Sequence, residues 1–291
     1  MPELPEVESA RTVIARAALH RVITEVDDSD SYVCRPHPPG EIRAALLGRT
    51  LTAAHRRGKS MWCDTSPVAG HDGAPGPELG IDESGPELGI DESGPELGIH
   101  LGMSGKIVIA DGAGNEIDGG DYWERGRAKG DYRYARFRLT FADGGALLLV
   151  DPRRLGRVRL DPPVEALGPD AQAITPAQFR TAFGRGTAPV KARLLDQDVI
   201  AGVGNLLADQ ILWQAKINPA RPVDELTPPE TDRLLRALRR TVSAAVGGGG
   251  VHTLTVIPFR RPEAACPRCG TPMAHGTVGG RTTWWCPREQ S

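Results

Sequence analysis

Three places in the chain carry side chains whose types and spacing suit chemistry. The first is the opening Met1-Pro2-Glu3. Removal of the initiator methionine is expected before proline, and it leaves a free secondary amine. An α-amino group has an ordinary pKa of about 8, far below that of lysine, so part of it is neutral and nucleophilic at neutral pH. Such an amine can attack an aldehyde-like sugar carbon and form an iminium, and Glu3 beside it can move protons. The second place is Cys266-x2-Cys269-x16-Cys286-x2-Glu289. This is the spacing of a zinc β-hairpin with glutamate in the last position, and three thiolates with one carboxylate oxygen make an acceptable tetrahedral zinc set. His275 falls mid-hairpin and is the less suitable fourth ligand. The third is Gly202-Val-Gly204-Asn205, where glycines let a phosphate approach and exposed amides and the Asn205 side chain can bind its oxygens. Arg185 and Lys191 stand upstream as candidate phosphate contacts. Cys34 and Cys63 read as buried, inert thiols.

The elements that must position these groups follow from periodicity. An amphipathic helix opens the chain, with Pro5 in its first turn, Glu6 and Glu8 at the positive end of the dipole, and Val7, Ala10, Ile14 and Ala17 at helical spacing. Short β-branched or alternating runs follow at 21–26, 51–54, 59–63, 99–110, 134–141 and 146–150. From about 170 the period turns helical. Thr175-Pro176 starts one helix, and Thr227-Pro-Pro-Glu230 is a capping box ahead of Leu234, Leu235, Leu238, Val242 and Ala245, with Gly247–Gly250 as the stop. The expected fold is α+β. Residues 1–160 read as a β-rich sandwich or barrel, 161–250 as a helical domain, and 251–291 as a cysteine module.

The opening string MPELPEVE resembles the signature of the formamidopyrimidine-DNA glycosylase / endonuclease VIII family of base-excision repair enzymes. The resemblance continues in order through Arg57-Gly-Lys59, His100-Leu-Gly-Met103-Ser-Gly105, Asp151-Pro-Arg153-Arg154-Leu155-Gly156, Gly202-Val-Gly204-Asn205 and the terminal cysteines, leaving out 64–98. It implies a bifunctional DNA glycosylase/AP lyase with an N-terminal β-sandwich and flanking helices over 1–160, a helix–two-turn–helix DNA-binding domain over 161–250 and a zinc-finger-like β-hairpin over 251–291. Pro2 would be the Schiff-base nucleophile, Glu3 the acid/base group, and Lys59 a hairpin lysine that assists protonation or strand cleavage. Glu6 matches a further family carboxylate. Arg281 would be the hairpin-tip arginine that engages phosphates at the lesion and assists the second elimination. Met103, Arg153 and Leu155 would fill the void left by the extruded nucleotide. Tyr134 stands where many relatives place a DNA-contacting histidine. The implied partner is damaged double-stranded DNA, bound by a monomer, and the implied metal is one structural zinc per chain.

Three features depart from that pattern: Leu155 in place of the usual phenylalanine, Glu289 in place of the fourth cysteine, and a segment 247–265 too short for a long base-capping loop. Glu289, Leu155 and an inserted acidic repeat at 76–99 motivate the rival reading, a damage-binding paralogue that has lost turnover, while retention of Pro2, Glu3 and Lys59 together weighs against it.

Composition bounds the class but misdirects on the partner. The 291 residues exceed what one small core needs, and no apolar run is long enough for a membrane span. The start lacks a secretory pattern, and five cysteines are too few and too unevenly placed for a disulfide scaffold, so a reducing, bacterial-type cytoplasm with nucleoid association is expected. A net charge of −2 argues against a polyanion ligand. The acids, however, concentrate in GPELGIDES at 76–84, its copy at 85–93, and a truncated copy at 94–99, with seven acids and no base. That acidic insertion reads as a solvated loop duplicated from the lead-in to the next strand. Without its acids the balance is +5, and the basic excess lies in 123–160 and 171–291.

Overall fold

The computed structural model describes residues 2–67, 93–121 and 130–291. The first two copies of the nonapeptide, bar Ser93, lie outside the described residues. Helix α1 (Leu4–Ala17) opens the chain. Five strands, β1 (Ile23–Asp27), β5 (Lys106–Ala110), β6 (Glu116–Gly120), β7 (Ala135–Phe141) and β8 (Ala146–Val150), form one antiparallel sheet in the order β1-β7-β8-β5-β6. Four others, β2 (Leu51–Arg57), β3 (Ser60–Thr65), β4 (Leu97–His100) and β9 (Arg157–Leu160), form a second in sequential order. A short helix α2 (Glu41–Leu46) precedes β2. The apolar faces of both sheets and of α1 share one core that includes Ile14, Ile23, Met61, Ile99, Ile107, Phe137 and Leu149.

Strand β8 illustrates why these residues make a sheet. Its sequence ALLLV is buried throughout, and the side chains alternate. Leu147 and Leu149 enter the sandwich core, whereas Ala146, Leu148 and Val150 join Val108, Tyr132 and Tyr134 on the opposite face. The run at 99–110 is two strands, not one, because Leu101–Gly105 breaks it and turns the chain from one sheet to the other. The third nonapeptide copy supplies β4, so the repeat duplicates the approach to a real strand.

The helical part comprises α3 (Pro176–Phe183), α4 (Val190–Leu195), α5 (Asn205–Ala215) and α6 (Pro228–Gly248). Thr175 and Thr227 both cap with reciprocal partners three residues on, Gln178 and Glu230. Gly249 ends α6 in the left-handed conformation. A second core gathers Phe179, Phe183, Leu194, Leu207, Ile211, Leu234 and Leu238. Leu4 belongs to this core, while Val7, Ala10 and Ile14 of the same helix belong to the sandwich core. Helix α1 therefore pins the two halves together at the point where Pro2 and Glu3 emerge. The chain ends in a hairpin, β10 (Ala274–Val278) and β11 (Arg281–Trp285). Its turn residues Gly279 and Gly280 both have positive φ, 59° and 71°, the backbone demanded by a tight two-residue hairpin. Arg281 is thereby held at the tip.

Candidate active site

Glu3 is 0% exposed and sits where the two halves meet. Helix α5 begins against it: the amides of Gly204, Leu206 and Leu207 donate to its carboxylate at 3.0, 2.8 and 3.0 Å. These are first-turn N–H groups with no partner inside the helix, and an anion there also meets the positive end of the dipole. Burial nevertheless raises the Glu3 pKa, opposed by the charge of Lys59 and by those three amides. Lys59, half-buried in the β2–β3 turn, has its pKa lowered by burial, against the pull of Glu3 and with the push of Arg281. Lys59 thus sits in the fields of both Glu3 and Arg281, which come from two other elements. Pro2 is buried beside Glu3, and the Leu4 amide donates to the Gly202 carbonyl at 3.2 Å, which ties the start of the chain to the loop before α5.

Further carboxylates and a histidine complete the surroundings. Glu6 accepts from the Glu3 amide at 2.9 Å and from the Val251 amide at 2.7 Å, and burial pushes its pKa up to about 7. His100 is held with Nδ1 accepting from the Gly102 amide at 3.0 Å, and burial next to Lys59 lowers its pKa, so it is a neutral ring with its proton on Nε2. The Lys59 turn is secured across the halves. Asp170 accepts from the Gly58 amide at 2.6 Å and from Arg56, whose Nε reaches Glu8 at 2.8 Å.

Two loops carry the candidate wedges, and they lean on each other. Met103 and Leu155 are exposed large apolar residues, 37% and 36%, and Arg153 is exposed between them in sequence. Asp151, 0% exposed, organises both loops: it accepts from Ser104 Oγ at 2.5 Å, the Arg153 amide at 3.1 Å and the Gly156 amide at 2.7 Å. Gly102 has φ +61°, and a Cβ there would collide with the Leu155 carbonyl. Tyr134 packs on the outer face of the five-stranded sheet, and its carbonyl accepts from the Asp151 amide at 2.9 Å.

The remaining candidates part company. Arg185 is exposed near a separate cleft with Ala177, Thr181 and Arg193. Asn205 turns its amide toward the hairpin, donating to the Thr282 carbonyl at 3.0 Å. Lys191 requires a correction as a phosphate contact. It is 0% exposed, with Nζ 2.6 Å from Asp209 Oδ1, so its charge is spent inside the protein. The thiolates of Cys266, Cys269 and Cys286 lie within 4.8 Å of one another, two of them buried. Sulfurs on one zinc at about 2.3 Å would be roughly 3.8 Å apart, so these three fit the metal. Glu289 is not brought to them. Its carboxylate pairs with Lys216 at 2.9 Å and Arg268 at 3.4 Å. His275 stacks on Trp284, its ring centroid 4.7 Å away. Cys34 and Cys63 are buried, and burial pushes both thiols up to about 12, as inert core residues require.

The family model described as the formamidopyrimidine-DNA glycosylase N-terminal domain matches residues 1–158, and that of the formamidopyrimidine-DNA glycosylase H2TH domain matches 166–255. The formamidopyrimidine-DNA glycosylase of Salinispora arenicola is 32% identical, covering 100% of this chain and 96% of the relative. The chain belongs to the formamidopyrimidine-DNA glycosylase family. The same enzyme of Parafrankia sp. is 30% identical over 100% of this chain and 98% of its own. Among solved structures, Lactococcus lactis Fpg in complex with DNA containing an abasic site shares the fold, with a TM-score of 0.74, 23% identity and 99% of both chains covered. A MutM structure in complex with DNA containing carbocyclic 8-oxo-G has the same TM-score and identity over the full length of both chains. The H2TH match spans helices α3 to α6 of this glycosylase. Sequence reasoning passed over Asp151, Asp170 and His100. Asp151 and His100 stand at the heads of the DPRR and HLGMSG motifs, which was signal enough to single them out. Asp170 carries no such signal, since its partners Arg56 and Gly58 are more than 100 positions away.

Proposed function

We propose that the protein is a base-excision DNA glycosylase with AP lyase activity, acting on oxidised bases in double-stranded DNA through Pro2. The observation that carries this reading is the buried Glu3 carboxylate directly beside Pro2, cradled by α5 and facing the charge of Lys59, which in turn feels Arg281. With Met1 removed, the Pro2 nitrogen attacks C1′ of an extruded nucleotide and the glycosidic bond breaks, its electrons leaving with the base. Nitrogen loses its proton, the sugar ring opens, and an iminium links protein and DNA. Loss of a C2′ proton then expels the 3′ phosphate, and a second elimination can expel the 5′ phosphate. Glu3, whose raised pKa keeps a proton within reach, exchanges protons with the sugar and the leaving base. Lys59 and Arg281 face the developing phosphate charge, and Met103, Arg153 and Leu155 occupy the vacated stack. Division of labour follows the domains: 1–160 catalysis, 161–250 DNA binding, 251–291 the hairpin. Cys266, Cys269 and Cys286 would hold a zinc that supplies structural cross-linking and no chemistry. A cytoplasmic, nucleoid-associated monomer is part of the same reading.

Borohydride reduction tests it. The mature protein on an abasic or lesion-bearing duplex should yield a covalent adduct, and Pro2→Gly should lose most of it. An active wild type without an adduct, or undiminished trapping in Pro2→Gly, overturns the proline mechanism.

A further inference from the structure

Behind Arg281 lies a buried ionic cluster that none of the steps above uses. Asp209 projects from α5, one turn beyond the amides that hold Glu3, and is buried to 1% exposure. One of its oxygens lies 2.6 Å from Lys191 Nζ on α4. The other accepts from Arg260 Nε at 2.7 Å and from the Trp284 amide of β11 at 3.2 Å. Lys191 continues the chain of contacts: Nζ donates to Thr283 Oγ1 at 2.7 Å, and that hydroxyl donates to the carbonyl of Arg281 at 2.9 Å. Thr283 is 0% exposed. The Thr282 carbonyl next to it receives Asn205 Nδ2 at 3.0 Å and Lys191 Nζ at 3.3 Å.

We propose that Asp209, Lys191 and Thr283 are positioning residues that set the direction of Arg281 relative to Glu3. A buried ion pair is a weak source of net stability, since desolvation of both charges offsets their attraction. Its geometry is stiff, however, because any shift leaves a charge or a donor unsatisfied. Helix α5 holds Glu3 by its first-turn amides and holds strand β11 by Asp209, so one rigid helix sets the spacing of two groups from opposite ends of the chain. The hairpin tip would otherwise swing on its turn. Lys191 matters here through Arg281, not by meeting a phosphate itself.

This inference rests on the reading that Arg281 meets a phosphate at the lesion, and it is tested by binding, which needs no turnover. Affinity for a duplex bearing a tetrahydrofuran abasic analogue is measured across a salt series. Arg281→Ala should weaken binding and lower the slope of log affinity against log salt by about one. Thr283→Val should give a loss of roughly three- to tenfold with a lowered slope, and Thr283→Ser, which keeps the hydroxyl, should restore both. In the Arg281→Ala background Thr283→Val should cost nothing more, and Asp209→Asn should behave likewise. Equal fold-losses in both backgrounds would overturn the proposal, because effects that multiply do not pass through Arg281. Thr283→Val is close to isosteric and carries the test if Asp209→Asn does not fold. A wild type that binds but forms no borohydride adduct would instead sink the catalytic reading, leaving the coupling measurable.

Discussion

At the scale of single residues, the site is a set of ionisable groups whose environments move them off their ordinary behaviour. Glu6 is the clearest. Its carboxyl is pushed from 4.5 up to about 7 by burial, against the pull of the Val251 and Glu3 amides. A folded chain that keeps a proton which the unfolded chain sheds loses stability as pH rises from about 4.5 to about 7, and the loss is constant above that. The shift corresponds to about 3 kcal/mol. Glu6→Gln should flatten this slope and unfold at higher urea than wild type at pH 8, with little difference at pH 4.5. Parallel stability curves for the two proteins between those limits would refute the assignment. Legibility differs sharply between neighbours at this scale. Pro2, Glu3 and Lys59 were readable because their motifs are local. Lys191 was misread because an isolated basic residue looks like a surface charge until Asp209, from the next helix, is beside it.

Among the elements, the C-terminal hairpin departs most from its relatives' expected pattern. Its cysteine spacing reads directly as a zinc site, since ligand geometry is written into the intervals. The fate of Glu289 does not, because Lys216 and Arg268 compete for the same carboxylate from outside the motif. Metal analysis should therefore return about one zinc per chain, Cys269→Ser should abolish it, and Glu289→Ala should leave it in place. Zinc lost equally from Glu289→Ala and Cys269→Ser would make Glu289 a ligand after all. Helices α1 and α6 were legible from capping residues and spacing, and so were most strands. Strand β6 was not: EIDGG has no apolar alternation, Ile117 is 43% exposed, and only pairing to β5 along Lys106–Ala110 makes it a strand. The loops of Met103 and Leu155 are joined through Asp151, a contact between segments nearly 50 residues apart that periodicity does not encode.

Across the whole molecule, a net charge of −2 conceals a DNA-binding balance. Deleting 76–93 removes six acids and no base and takes the net charge to +4, while Gly94–Ile99 still leads into β4. The deletion variant should fold and bind duplex about twofold or more tightly at low salt, an advantage that fades as salt screens the lost acids. Unchanged affinity at every salt concentration would show that the acids do not reach the DNA field. Sequence by itself determined the family, the candidate reagents and the α+β plan, because amine, carboxylate, lysine and thiolate motifs are short-range patterns and helix and strand periods are local. Tertiary structure alone decided how those reagents work together. It placed Glu3 on the amides of a helix some 200 residues away, carried α1 through two cores, buried Lys191 and drew Glu289 off to Lys216. Burial and long-range pairing depend on which segments meet, and that is a property of the packed chain rather than of any stretch of it.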